Sequence, residues 1–122
     1  MDMPAIWALN AQIPRTVQYG ACSCWASGCG ELDVFEVLDS GNPRAKSTYH
    51  GNPSGGDSNY FNRPSNETTK LAVLFDGSAS STHIFILPDN STFDSIVSNS
   101  TVASWYESIS STSQQATFNL AS

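Results

Sequence analysis

The chain of 122 residues is long enough for one domain with its own core, and 39% of its residues are hydrophobic. Only 13% are charged, the net charge is −6 and the five basic residues are scattered, which excludes a phosphate-binding surface for nucleic acid. No apolar run reaches the about 18 residues that a membrane-spanning helix needs, so we expect no membrane span.

Serine, threonine, asparagine and glycine replace the missing charged residues, which is typical of extracellular proteins built from strands and polar loops. Three acceptor motifs for N-linked glycans begin at Asn66, Asn90 and Asn99. We therefore predict a secreted glycoprotein. Because residues 1–4 carry neither the basic nor the apolar region of a signal peptide, we expect the sequence to be an incomplete part of a longer product.

The first predicted strand covers residues 4–9, an apolar run that starts at a proline. The loop after it carries a cluster of three cysteines, Cys22, Cys24 and Cys29. In an oxidising compartment the cluster predicts one local disulfide and one sulfur paired elsewhere. The alternative is a zinc site, but such sites take four ligands and the two histidines lie far along the chain. We favour the disulfide and expect no metal.

The second predicted strand covers residues 31–38, which begin with the polar/apolar alternation of a half-buried strand. Residues 45–50 are expected to form a short return strand that ends at His50. Residues 51–66, rich in glycine, proline, asparagine and serine, indicate a long loop.

Two later strands, residues 70–75 and 82–87, are predicted to pair around a turn that contains Asp76-Gly77. A short helix is predicted from its cap at Thr92 to about residue 98, because three apolar residues follow helical spacing: Phe93, Ile96 and Val97.

Short strands separated by polar turns predict an all-β fold, a jelly-roll β-sandwich with a short helix near the C-terminus. So few strands cannot close two full sheets, and we therefore expect only part of the sandwich. Residues 1–110 are assigned to this partial domain and residues 111–122 to a Ser/Thr-rich tail.

An acidic row lies in the second strand. Glu31 and Asp33 share one face of a strand, while Glu36 falls on the opposite face of a regular strand. A β-bulge near Val34-Phe35 would return Glu36 to the acidic side. We predict such a bulge, because bulges frequently lie beside active sites.

Paired carboxyl groups about 5 to 5.5 Å apart are the catalytic pair of retaining glycoside hydrolysis, one as nucleophile and one as acid. Three carboxylates this close cannot all ionise freely, so their pKa values are expected to split. Asp33 is the natural mediator between the two glutamates. The alternative interpretation is a solvent-facing strand whose polar positions happen to be acidic.

The sequence resembles family 16 glycoside hydrolases, whose active-site strand carries E-x-D-x-x-E as residues 31–36 do. Residues 3–9 are similar to the W-P-A-x-W-x-L strand of that family, and residues 48–51 to its short strand with a histidine. A closer resemblance is to fungal cell-wall glycosidases of the "target of SBF" type. It is carried by residues 9–15, 22–31 and 55–57.

This resemblance implies a jelly roll, β-1,3-glucan or a related wall polysaccharide as substrate, and a retaining mechanism without a cofactor. It assigns Glu31 as the nucleophile, Asp33 as the helper and Glu36 as the acid/base. It also implies a secreted, cell-wall location, and strands upstream of Met1, since domains of the family are longer.

Three further residues are candidate substrate contacts: Trp25, Trp7 and His50. Aromatic rings pack well on the C–H faces of sugars, but Trp7 is equally compatible with a core position and His50 with a structural role. Two other functions remain open: a non-catalytic, glucan-binding wall protein and a structural glycoprotein whose Ser/Thr residues carry O-glycans.

Overall fold

The computed structural model of the protein describes residues 3–13, 22, 29–51, 59–109 and 114–120. These form two antiparallel sheets and one helix. The first sheet has the order β1-β2-β3-β4, with the bounds Ala5–Leu9, Glu31–Glu36, Arg44–His50 and Asn59–Asn62. The second has the order β5-β6-β7, with the bounds Leu71–Asp76, Ser81–Ile86 and Gln115–Asn119.

The two sheets pack face to face, which confirms the predicted all-β sandwich. Apolar side chains that alternate along the strands point inward from both sheets, because successive residues of a strand face opposite sides. The buried cluster between them comprises Leu32, Val34, Phe35, Val37, Ala45, Phe61, Ile84, Ala116 and Phe118. The acidic positions of β2 are consequently directed to the outer face of the first sheet.

The five predicted strands are present in the structure with small shifts of their ends. The turn between β5 and β6 is held by Asp76, whose carboxylate accepts hydrogen bonds from the backbone N–H groups of Ser78 and Ala79. This side-chain capping is why a connection longer than a two-residue hairpin turn still keeps the strands in register.

Two strands lie where no strand was predicted. β4 lies inside the predicted loop 51–66, and β7 is formed by residues that we assigned to the tail. Each is short, but each places a fully or almost fully buried ring in the core, Phe61 in β4 and Phe118 in β7. Neither strand could be predicted from local composition, because the stability of both comes from packing across the sandwich.

The helix α1 spans Asn99–Ser108, so the predicted helix over 92–98 is wrong. Its cap is Ser98, whose hydroxyl accepts a hydrogen bond from the backbone N–H of Thr101. Residues 92–97 precede the helix, and Phe93 packs edge-on against Trp105 with ring centroids 5.8 Å apart. Of the three apolar residues behind that prediction, Phe93 thus contacts the helix, whereas Ile96 is 85% exposed.

The helix covers the outer face of the second sheet. Trp105 of the helix packs against a small buried cluster formed by Phe85, Leu87 and Ile109. Trp105 therefore helps to hold the helix against the second sheet. Among the described residues, no helix has the length and apolar content that a bilayer crossing requires.

The predicted local disulfide joins Cys22 and Cys29, whose Cα atoms are 5.5 Å apart. The two cysteines lie seven positions apart in the sequence, and Cys29 is separated from β2 by Gly30 alone. Cys24 lies outside the described residues, so the pairing of the third sulfur stays a prediction. The three glycan-acceptor asparagines, Asn66, Asn90 and Asn99, are exposed.

Candidate active site

A β-bulge in β2 brings the acidic row onto one face. Along β1, Ile6 and Trp7 are consecutive, but their partners on β2 are Phe35 and Asp33. Val34 is thus the extra residue, and the pairing of β2 with β3 shifts at the same place. The predicted bulge near Val34-Phe35 is confirmed.

The bulge has a direct consequence for the side chains. Val34 and Phe35 both belong to the core between the sheets. Asp33 and Glu36, which flank them, consequently face the same outer side, together with Glu31 two residues before Asp33. Three carboxyl groups of one short strand therefore lie on a common face.

The hydroxyl of Ser47, on the neighbouring strand β3, secures the bulge from the core side. It donates to the carbonyl oxygen of Asp33 at 2.7 Å and lies 3.1 Å from that of Val34. Ser47 itself is fully buried. The hydroxyl thus satisfies backbone carbonyls in the stretch where the ladder of β2 is interrupted.

Replacing this hydroxyl is expected to loosen the bulge. Ser47→Ala should lower the free energy of unfolding by about 1–3 kcal/mol, because it leaves buried carbonyl groups without their donor. Urea denaturation measures the loss, with Ser95→Ala at an exposed position as the control. Equal stability of the two variants would show that the bulge does not depend on Ser47.

The entry into β2 depends on Gly30. Its φ of +98° lies in the left-handed region, which residues with a Cβ rarely adopt. Its carbonyl accepts a hydrogen bond from the N–H of Asn10, which closes the end of the β1–β2 pair. The turn places Glu31 at the first position of the strand, opposite His50 on β3.

Asp33 is the centre of a short hydrogen-bonded chain. Its Oδ2 lies 3.1 Å from Nε2 of His50, and its carboxyl group is hydrogen-bonded to that of Glu31. Two carboxyl groups can share a hydrogen bond only when one carries a proton. A neutral Asp33 that donates to Glu31 and accepts from the Nε2–H of His50 satisfies both contacts.

Electrostatics agree with a protonated Asp33. Its side chain is only 3% exposed, and burial, the hydrogen bond to Glu31 and the charges of Glu36 and Glu31 raise its pKa from 3.8 to about 7. Lys46 opposes part of this shift. The carboxyl group most deeply buried in the row is therefore the one that holds its proton near neutral pH.

The pKa of Glu36 is also raised. Burial is the main cause and the negative charge of Glu31 adds to it, while Lys46 and His50 act in the opposite direction. Lys46 lies opposite Glu36 on β3. The environment thus favours a proton on Glu36, as a general acid requires.

The predicted substrate contacts fall in different places. His50 joins the acidic group as described, and Trp7 lies opposite Asp33 on β1 with 55% of its surface exposed. Trp7 is thus outside the core that the described residues form, and on the face of the acidic row. Trp25 lies outside the described residues, and its role stays a prediction.

Two polar side chains on this face were not predicted. Lys46 balances Glu36, and Thr48 lies opposite Asp33 with a buried hydroxyl that has no hydrogen-bond partner among the described residues. On β3, Lys46 lies two residues before Thr48, and Thr48 lies two residues before His50. The same alternation that located Glu31 and Asp33 would therefore have located both.

The geometry of one group of side chains on this face would suit a divalent cation. Glu31, Asp33 and His50 place one ligand atom each within 4.8 Å of one another. The hydrogen bonds described above already engage Asp33 with both neighbours, which gives the cluster a role that requires no metal.

Residues 1–105 match the family described as "Cell wall protein YJL171C/Tos1, C-terminal". The chain is 47% identical over 106 residues to the "Probable circularly permuted 1,3-beta-glucanase TOS1" of Saccharomyces cerevisiae, covering 85% of this chain and 23% of that protein. It is 50% identical over 118 residues to a Schizosaccharomyces pombe protein named as a probable circularly permuted 1,3-beta-glucanase, covering 88% and 23%.

A similarly named protein of Arthroderma benhamiae is 60% identical over 81 residues, which cover 62% of this chain and 18% of that protein. The chain thus spans about a quarter or less of the length of these relatives. No solved structure matches it.

Proposed function

Because this chain belongs to the family of the C-terminal part of the cell wall protein Tos1, we propose that it carries the catalytic carboxyl groups of a retaining enzyme acting on β-1,3-glucan in the fungal wall. Its relatives are named as probable 1,3-beta-glucanases. Since they are about four times longer than the matched region, the proposal concerns the catalytic strand of a larger enzyme.

One observation carries the proposal: the bulge at Val34 aligns three carboxyl groups of β2 on one face. A merely solvated polar strand has no need of a bulge or of a buried acid. Here Asp33 is 2% exposed and bonded to two neighbours, which costs stability and is typical of functional sites.

The proposed reaction has two steps. The carboxylate of Glu31 attacks the anomeric carbon and forms a glycosyl ester, while Glu36 donates its proton to the departing glycosidic oxygen. Glu36, now a carboxylate, then takes a proton from water or from a sugar hydroxyl. The oxygen of that water or hydroxyl attacks the anomeric carbon and displaces Glu31. Hydrolysis results in the first case and transglycosylation in the second.

Asp33 is proposed to assist Glu31 through their hydrogen bond. While Glu31 is an anion, a neutral Asp33 can donate to it and hold its position. The low exposure of Asp33 keeps this bond away from competing water. Trp7 and His50 are proposed to contact the sugar, since both lie on the same face.

The experiment is mass spectrometry of β-1,3-linked gluco-oligosaccharides after incubation with the chain, beside the variants Glu31→Gln and Glu67→Gln. Glu67 is exposed and lies outside the acidic row, so it is the matched control. Shortened or lengthened products are expected with the parent and with Glu67→Gln, and none with Glu31→Gln. Oligosaccharides that bind a folded parent but stay intact would instead favour a non-catalytic, glucan-binding wall protein.

A secreted, cell-wall location and N-glycans at Asn66, Asn90 and Asn99 belong to the same proposal. The exposure of all three asparagines supports it. The mass of the protein secreted by a fungal host should fall after enzymatic removal of N-glycans, and an unchanged mass would contradict the glycan assignment.

A further inference from the structure

Tyr60, on β4, shares the outer face of the first sheet with the acidic row. In a sheet, paired residues of neighbouring strands direct their side chains to the same face. The register places four residues in one row across the four strands, namely Ala5, Glu36, Lys46 and Tyr60. Tyr60 therefore lies two strands from Glu36, about 10 Å away at the usual strand spacing.

The ring of Tyr60 is both exposed and held in position. It is 48% exposed, whereas the next residue, Phe61, is fully buried in the core. The guanidinium carbon of Arg44 lies 4.6 Å from the centroid of the Tyr60 ring. The backbone N–H of Arg44 is in turn bonded to the side chain of Asn42, which fixes the start of β3.

We propose that Tyr60, positioned by Arg44, forms a sugar-binding platform for the glucan chain beyond its point of cleavage. The ring offers an apolar surface to the C–H face of a glucose unit, and the guanidinium offers donors to its hydroxyl groups. The inference rests on the proposed function, because the acidic row defines where cleavage occurs.

The position of Trp7 gives the platform a direction. Trp7 is exposed on β1, one strand to one side of the acidic strand, and Tyr60 is two strands to the other side. The two strands that carry these rings are about 14 Å apart. A glucan that crosses the strands can contact both rings only when it spans several glucose units, so Tyr60 contributes to the binding of long chains and little to that of short ones.

The test measures binding rather than turnover. Glu31→Gln serves as the parent, so that the ligand stays intact, and calorimetry gives its affinity for a β-1,3-linked glucose hexasaccharide and for the disaccharide. Tyr60→Ala is added to this parent, with Tyr60→Phe as the variant that keeps the ring. Phe75→Ala is the matched control, since Phe75 is 69% exposed and lies in the second sheet.

Tyr60→Ala is expected to weaken hexasaccharide binding about tenfold, the loss of one well-packed ring contact, and to leave disaccharide binding within about twofold. Tyr60→Phe and Phe75→Ala should bind the hexasaccharide as the parent does. Unchanged hexasaccharide affinity in a folded Tyr60→Ala protein would overturn the platform while leaving the proposed function standing. A folded parent that binds no gluco-oligosaccharide would overturn both.

Discussion

Glu36→Gln is expected to lower kcat for β-1,3-glucan about 10²–10⁴-fold, because the departing sugar oxygen loses its proton donor. Glutamine has nearly the same shape but carries no transferable proton. The fold should be retained, since Glu36 is half-buried at the end of β2 and Glu36→Gln removes a charge that burial disfavours. Initial rates on a soluble β-1,3-glucan measure the loss, with circular dichroism to verify the fold.

An aryl glucoside with a strongly acidic leaving group provides the control for the role of Glu36. Such a leaving group departs without a proton, so the loss in Glu36→Gln should be much smaller than with glucan. An equal loss on both substrates would show that Glu36 is not the acid. It would then act on substrate binding or on the position of Glu31.

The pH profile offers a second check on the same assignment. A general acid is active while protonated, so activity of the parent should fall as pH rises through the pKa of Glu36. Burial raises that pKa, which moves the fall toward higher pH than an ordinary glutamate would give. In Glu36→Gln the fall that follows the pKa of Glu36 should be absent, and only the fall that follows the loss of the Asp33 proton should remain.

The acidic site was more predictable than the fold around it. Alternation in residues 31–36 identifies the face of Glu31 and Asp33, and the mismatch of Glu36 identifies the bulge. These inferences need only the period of a strand. The donor that secures the bulge, Ser47, could not be inferred, because it lies 14 residues away from Asp33 and reaches it only through strand pairing.

The missed elements share a physical reason. β4 and β7 are short strands in polar surroundings, and they persist because Phe61 and Phe118 are buried between the sheets. The helix was placed one turn or more too early because Thr92 and Ser98 are both chemically suitable caps, and only the structure shows that Ser98 accepts from the backbone N–H of Thr101. Tertiary contacts decide such cases, and a local pattern cannot contain them.

Asp33→Asn is expected to make the protein more stable at neutral and alkaline pH. The pKa of Asp33 is raised from 3.8 to about 7 in the folded chain, first by burial and then by its hydrogen bond to Glu31. The folded state therefore binds a proton more tightly than the unfolded state between these values. The free energy of unfolding must fall as pH rises across that window, by up to about 4 kcal/mol.

An asparagine at position 33 removes this pH dependence, because its amide stays neutral at every pH. Its oxygen can still accept from His50 and its N–H can still donate to Glu31, so neither neighbour loses a partner. Urea denaturation should show that the parent is less stable at pH 8 than at pH 4. This difference should be smaller in Asp33→Asn. The variant should be the more stable of the two at pH 8.

Asp76→Asn is the matched control, because its carboxylate has the opposite environment. Asp76 lies at the end of β5, where hydrogen bonds from Ser78 and Ala79 lower its pKa. The carboxylate of Asp76 stabilises the fold above pH 3.8, and this stabilisation disappears as pH falls. Asp76→Asn should therefore lower the free energy of unfolding at pH 8. It should leave the decrease in that free energy from pH 4 to pH 8 nearly as large as in the parent. If Asp33→Asn behaved in the same way, Asp33 would titrate as an ordinary surface acid. The proton that is proposed to join Asp33 to Glu31 would then be absent at neutral pH, and the assisting role of Asp33 would fall with it.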